Sequence, residues 1–408
     1  MLAVHTAQPA ASSPPLPSAG FGVYVHFPWC ERKCPYCDFL SIPVTERVVQ
    51  AGPYTEAVLG ELDLRAASLS AHPLRTIFVG GGTPSLWDPV ELRRVLTAIR
   101  ARFPTEDALE VTVECNPSSF DERVAEGLLA AGVNRISLGV QSLSDDRLRF
   151  LGRVHDTAEA LAAVQRALRT GFERVSADLI FGVAGQTPGE AADEARRLAG
   201  LGLTHLSAYA LTIEPGTRFG ERARRGRLPL LSDDVVAECF TAIEEALEGA
   251  GFAHYEISNY AHPGAEARHN LGYWRGAPYL GLGVGAFGTL PATHGALRYR
   301  NTPNLDRYLG FASRPTAALD RVGPLVASVE PLAPPTLLSE RLMLGLRLAE
   351  GIDTAELERT LGVPVLTRAR ERAIERWTTR GALVRDGSRL RLDKRHFLLA
   401  DAVIRDLV

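Results

Sequence analysis

Three of the five cysteines, Cys30, Cys34 and Cys37, fall within one short stretch, YVHFPWCERKCPYCDFLS, residues 24–41. Their spacing, C-x3-C-x2-C, lets a single loop bring three thiolates to one point. Four cysteine ligands would close a four-iron cluster and leave it an electron carrier. Three leave one iron without a protein ligand, open to a substrate or a cofactor. A structural zinc ion is the competing reading, and it would take His26 as its fourth ligand. A disulfide framework is not expected. The cysteine count is odd, and the N-terminal MLAVHTAQPAASSPPLPSAG has neither the basic start nor the continuous apolar core of a secretory signal. The expected compartment is therefore the reducing cytoplasm.

The elements that position the loop repeat along the chain. Short β-rich runs occur at 24–27, 75–82, 109–117, 135–142, 174–182 and 205–212, separated by segments of helical spacing such as TAEALAAVQRALRTG. Strand and helix in alternation imply parallel strands with crossover helices. Six units of this kind predict an open (β/α)6 barrel over residues 21–220, not a closed eight-fold one. Chemistry in such barrels gathers at the C-terminal edge of the sheet. The cysteine loop, GGGTPS, Glu114 and Gln141 all stand at strand ends, with Asp178, Tyr209 and Ala210 inside the last two strands. All are expected to open into one cavity, and the loop's place after the first strand favours the open cluster.

Four segments follow from composition and pattern. Residues 1–20, rich in Pro, Ser and Ala, read as a disordered tail. The barrel core is followed by an extension over 221–330, which contains the helical SDDVVAECFTAIEEALEGAG, a strand at AHYEISNYA and a glycine loop, GLGVGAFG. A Pro- and Ala-rich linker is expected to run to about residue 336. The remainder, 331–408, reads as helices with a short hairpin at DGSRLRL, a mainly helical, winged-helix-like domain. A net charge of −3 supplies no broad field for nucleic acid or anionic membrane, and no apolar run approaches the ~18 residues of a membrane span.

The cysteine loop, with Tyr36 just before its last cysteine, resembles that of the radical S-adenosylmethionine (SAM) superfamily. The motifs FVGGGTPS, ECNP, SLGVQS, LGRVH, DLIFGVAGQT, YALTIEPGT, HYEISNYA, RHNLGYW and MLGLR follow in the order of the oxygen-independent coproporphyrinogen III oxidase-like family, over about residues 22–400. The resemblance implies a partial radical-SAM barrel holding a [4Fe-4S] cluster on Cys30, Cys34 and Cys37. It further implies that SAM chelates the open iron and meets Tyr24, Tyr36, Gly81, Gly82, Thr83, Glu114, Gln141, Arg153, Asp178 and Ala210. Without it, GGGTPS is an ordinary strand-to-helix turn, and Glu114, Asp178 and Arg153 are ordinary ion-pair or surface residues.

Within that family the true oxidases show a fourth cysteine two positions after the third. Here that position is Phe39. CDF instead resembles the HemW-type haem-chaperone branch, as does the H-N-x-x-Y-W segment with His269, Asn270, Tyr273 and Trp274. The branch implies haem binding there and delivery to haem-acceptor proteins, respiratory ones among them, with an electron donor such as a flavodoxin, no nucleic acid, and peripheral membrane association as a further expectation. Imidazole is a ready axial ligand and the aromatic pair offers flat apolar surface; taken alone, the segment reads sooner as a packed structural corner, and the resemblance brings the two readings level. Two other functions compete: oxidative decarboxylation of coproporphyrinogen III, against which Phe39 stands, and nucleic-acid binding by the C-terminal domain. Cys115 and Cys239 read as small buried apolar residues. The basic ERARRGRLP reads as a solvated face or as a docking surface for an acidic partner.

Overall fold

The computed structural model describes residues 20–70, 72–311 and 325–408. The tail read over residues 1–20 lies, up to residue 19, outside the described residues. The six predicted runs become strands β1 Phe21–Phe27, β2 Leu74–Gly81, β3 Thr105–Cys115, β4 Arg135–Gln141, β5 Arg174–Phe181 and β6 His205–Ala210. They lie side by side in that order and are parallel throughout. One register row runs Val25–Val79–Val113–Ile136–Val175, and every member is buried. Near-continuous apolar strands of this kind suit a parallel sheet covered on both faces.

The crossovers are helices whose starts are written in the sequence: α1 Ala51–Arg65, α2 Pro89–Arg102, α3 Glu122–Ala130, α4 Thr157–Thr170 and α5 Pro188–Ala199. Asp156 and Thr187 each form a reciprocal capping box with a glutamate, Glu159 and Glu190, in the first turn. Asp88 caps α2 directly before Pro89, where proline's missing N–H costs nothing.

The chain beyond residue 220 extends this sheet at both edges. α6 Asp233–Gly249, capped by Ser232, leads into the hairpin β7 Ala253–Glu256 and β8 Asn259–Ala261, whose second strand pairs antiparallel with β6. α7 Arg268–Trp274 then carries the chain to β9 Tyr279–Leu282, which joins β1 in parallel. β10 Phe287–Ala292, β11 Gly295–Asn301 and β12 Val326–Leu332 complete a 12-stranded sheet. This corrects two expectations: half of the glycine loop, 281–282 and 287–288, belongs to β9 and β10, and the linker to residue 336 contains two further strands, although 312–324 lie outside the described residues. Pro291 in β10 and Pro331 in β12 obscured the pattern. Pro331 is tolerated because β12 is the sheet edge, where a missing N–H breaks no ladder.

A buried ion pair ties α1 to this added edge. Glu61 and Arg65 meet at 2.7 Å with side chains 0% exposed. Asn301 of β11 bonds both, Tyr308 donates to Glu61, and so does the Gly283 amide after β9. The C-terminal part comprises α8 Pro334–Gly345, α9 Thr354–Leu361, α10 Arg368–Thr379 and α11 Ala400–Leu407, with a small sheet of Ile352–Asp353, Leu383–Asp386 and Arg389–Leu392. It is bonded to the barrel through backbone: Ile257 N–H to Arg347 O at 3.1 Å and Ala349 N–H to Tyr255 O at 3.0 Å.

Candidate functional site

The C-terminal edge of the sheet opens on a cavity of ≈ 390 Å³. Cys30, Cys34 and Cys37 line it together with Tyr36, Gly81, Gly82 and Thr83. Glu114, Gln141, Arg153, Asp178 and Ala210 complete the motif residues that the fold brings to this place. Tyr24 is not at its wall. It lies deeper on β1, its hydroxyl 3.0 Å from His26 Nδ1 and its ring stacked on Phe78.

Loop and glycine turn are fitted to one another. Trp29–Cys30 and Ile42–Pro43 pair as a small parallel sheet that closes the base of the cysteine loop. The backbone amides of Gly82 and Thr83 donate to Phe27 O and Trp29 O, both at 2.7 Å. Gly81 has φ +117°, and a Cβ there would lie 2.6 Å from the His26 ring; a Cβ on Gly82 would lie 2.4 Å from Trp29 O. Only glycine permits that conformation and that approach. Gln141, at φ +68°, is the one non-glycine residue with positive φ among the described residues. Backbone held in this region marks sites where geometry outranks stability.

Two acids of the cavity, Glu114 and Asp178, interact with one another. Burial, then the like charge of Asp178, pushes the Glu114 carboxyl up to about 7, although the Gly81 N–H bonds it at 3.1 Å. Burial likewise raises Asp178, against the opposing hydrogen bonds of Ser207 and Ser137. Two neighbouring carboxyls raised by burial, despite the Arg135 charge acting on both, favour a positively charged ligand. Burial pushes the Cys30 thiol up to about 11, and neighbouring Cys37 and Cys34 add to the effect; burial raises Cys37 as well. Arg153 bonds Cys34 Sγ at 3.5 Å, Gly139 O at 3.0 Å, and Asn116 Oδ1.

His26 is unavailable as a fourth zinc ligand, since Nε2 bonds Leu40 O at 2.9 Å and Nδ1 faces the Tyr24 hydroxyl. Among the described residues no three His, Cys, Asp or Glu side chains converge tightly enough for a single metal ion. A four-iron cluster is larger than one ion and asks for more widely spaced thiolates, which the donor set of the loop fits. Phe39 stands at the mouth, 62% exposed, where a fourth thiol would have stood.

The motif reading named neither Asn116, which joins Arg153 to Thr83 through a 3.0 Å bond to Thr83 Oγ1, nor Ser137 nor Gly139, all at the wall. Each sat inside a quoted motif, ECNP or SLGVQS, two to four positions from a residue that was named. Cys115, read as a buried apolar side chain, is buried and also reaches the wall.

The H-N-x-x-Y-W segment is elsewhere. It is α7, under the N-terminal edge of the sheet. His269 is buried; Nδ1 bonds Thr76 Oγ1 at 2.7 Å and Nε2 bonds the Tyr273 hydroxyl at 2.9 Å. Its ring stacks on Phe78, and burial, then the Arg135 charge, lowers its pKa to about 3. With both nitrogens engaged, this neutral imidazole is packed as a corner. Asn270 is half-buried beside it, while Trp274 faces a second cavity.

Comparison with known proteins agrees with this geometry. The model of the Radical SAM superfamily matches residues 24–198, and that of the HemN C-terminal domain matches residues 332–399. A Mycobacterium tuberculosis protein named heme chaperone HemW is 39% identical over 399 residues, 97% of this chain and 96% of that one. The chain belongs to the HemW branch of the radical SAM superfamily. HemW of Escherichia coli is 40% identical over 276 residues, 67% of this chain and 71% of its own length. HemW of Bacillus subtilis is 37% identical over 271 residues, 66% and 71%. The solved coproporphyrinogen III oxidase HemN of Escherichia coli superposes with a TM-score of 0.78 at 20% identity, over 96% of this chain and 90% of that one. That likeness establishes a shared fold: the radical-SAM partial barrel with its helical C-terminal domain.

Proposed function

We propose that this HemW-branch protein is a haem carrier built on a radical-SAM scaffold, which binds a [4Fe-4S] cluster, SAM and haem and delivers haem to acceptor proteins. The observation that carries the reading is the 39% identity, along almost the whole chain, to a protein named heme chaperone HemW. Phe39, exposed where the oxidases have a thiol, supports a carrier over a decarboxylase.

Cys30, Cys34 and Cys37 would hold the cluster, and the paired acids Glu114 and Asp178 suit a ligand that, like SAM, carries an ammonium and a sulfonium. Bound together, cluster and SAM supply reductive cleavage to a 5′-deoxyadenosyl radical. The chain's own residues bind and orient. Gly81, Gly82 and Thr83 offer backbone to the methionine end, and Gln141, Arg153 and Ala210 face the remainder of the ligand. Tyr36 closes the loop side, and Tyr24 backs it through His26. His269, Asn270, Tyr273 and Trp274 form the haem-side element, the last of them by direct contact. Acceptors would include respiratory haem proteins, a flavodoxin-type protein would reduce the cluster, and the setting is cytoplasmic with peripheral contact to membranes. Among the described residues no helix is long and apolar enough to cross a membrane.

The test uses cluster-reconstituted protein under anaerobic conditions, with SAM, a reductant and coproporphyrinogen III. The expected result is haem binding and no decarboxylated porphyrin above a Cys34→Ala control. Decarboxylated product would establish the oxidase instead, and a protein that takes up no haem would sink the carrier reading. In Cys34→Ala the iron and sulfide content after reconstitution should fall to background.

A further inference from the structure

A second cavity, ≈ 380 Å³, opens at the opposite edge of the sheet, where β1 and β2 begin. Its volume is that of a small-molecule site. One wall is barrel, with Leu271 and Trp274 of α7; the other is the C-terminal domain, with Leu348, Leu357 and Leu361. The Trp274 indole hydrogen-bonds Glu256, so its polar atom is satisfied and its face is left apolar.

The charges around this hollow are unequal. Arg75 and Arg268 share one carboxylate, Glu106, and Arg275 pairs with Glu350. Arg341 and Arg389, which also line it, form no direct ion pair: Arg341 donates to Arg275 O at 2.7 Å with the Glu340 charge nearby, and Arg389 donates to Glu350 O at 3.1 Å while standing opposite Asp353 in the small sheet. Of the acids at the wall, Asp353 caps α9 through the amides of Ala355 and Glu356. Glu356 itself is exposed and without a cation. Two guanidinium groups that form no direct ion pair, beside an apolar slot, suit an apolar body bearing two acids.

We propose that this cavity is the porphyrin site, and that Arg341 and Arg389 hold the two propionates while Trp274 and the leucines take the ring. The proposal rests on the haem-carrier reading and places the cargo across the sheet from the cluster cavity. His269 does not ligate the iron, because both its nitrogens are bonded within the barrel. The porphyrin is gripped by its acids and its face, with an edge left in solvent at the open rim. Such a grip can be released to an acceptor that supplies an axial ligand.

The full chain is titrated with haemin, with iron-free mesoporphyrin and with mesoporphyrin dimethyl ester, and bound porphyrin is read by absorbance and fluorescence. Haemin and free mesoporphyrin should bind within about threefold of each other, and the ester about tenfold more weakly or worse. Arg341→Ala and Arg389→Gln should each weaken both free acids about tenfold, and Glu356→Gln should tighten them. Equal urea midpoints for all variants exclude misfolding. A wild-type protein that binds no haemin overturns the carrier reading and this site together. Haem binding that ignores Arg341, Arg389 and esterification overturns this site and leaves the carrier reading standing.

Discussion

At the end of β3 the Glu114 carboxyl sits beside Asp178 with little water, and its pKa rises to about 7 from an ordinary 4.5. The folded state therefore binds this proton more tightly than the unfolded chain. Its contribution to stability is fully present below pH 4.5 and falls as pH rises through about 7, by up to about 3 kcal/mol. Asp178, also raised, acts in the same direction. Urea unfolding of the cluster-free protein across this window should show a decline that Glu114→Gln largely flattens; a parallel decline in the variant would assign the effect elsewhere. The same residue should make SAM binding strengthen as pH rises through about 7, since the ionised form is the one that attracts a cation.

Two elements brace the site from outside. The short helix Arg218–Arg224 hangs on the cysteine loop by the Phe219 N–H to Pro35 O bond, 2.8 Å, and its buried Phe219 packs on Tyr36 and Phe150. The basic ERARRGRLP is thus, in part, the outer face of a strap. Phe219→Ala should cost about 3–5 kcal/mol by cavity formation. It should also speed cluster loss under a chelator, a readout that a purely global destabilisation at low denaturant would leave unmoved. On the other side, α1 is pinned to β9 and β11 by Glu61 and Arg65. Glu61→Gln leaves a buried guanidinium without its counter-charge, and chemical denaturation should register about 3–5 kcal/mol.

Across the whole molecule, the sheet separates two cavities, one at each edge, and the C-terminal domain closes only the second. That domain is bonded backbone to backbone with β7 and shares the main apolar core with the barrel. Barrel and C-terminal domain should therefore unfold together. Amide exchange at Ile257 and Ala349 should show the protection of the central strands, and two separate transitions would contradict this.

The barrel was legible because its signals are local. Apolar runs bounded by Asp, Thr, Ser and Pro mark strands and helix starts within a few residues, and parallel strands hold their chemistry at their ends. Hence the loop cysteines, the glycine turn and the acids of β3 and β5 could be placed at one edge from spacing alone. Family motifs added Arg153, which no periodicity marks. β10 and β12 were not legible, since Pro291 and Pro331 break their pattern, and with them went β11, which pairs between the two. His269 shows the same limit. The family resemblance suggested a haem ligand and the bare residues a packed corner, and Thr76, far along the chain, with Tyr273 occupies its nitrogens. Thus residue order by itself determined the parallel core and the kinds of group at its rim. Only tertiary structure decided which of those groups meet, which are already satisfied, and that Arg341 and Arg389 face a hollow made by two distant parts of the chain. Hydrogen-bond satisfaction and burial are properties of contacts between such parts, and no local pattern encodes them.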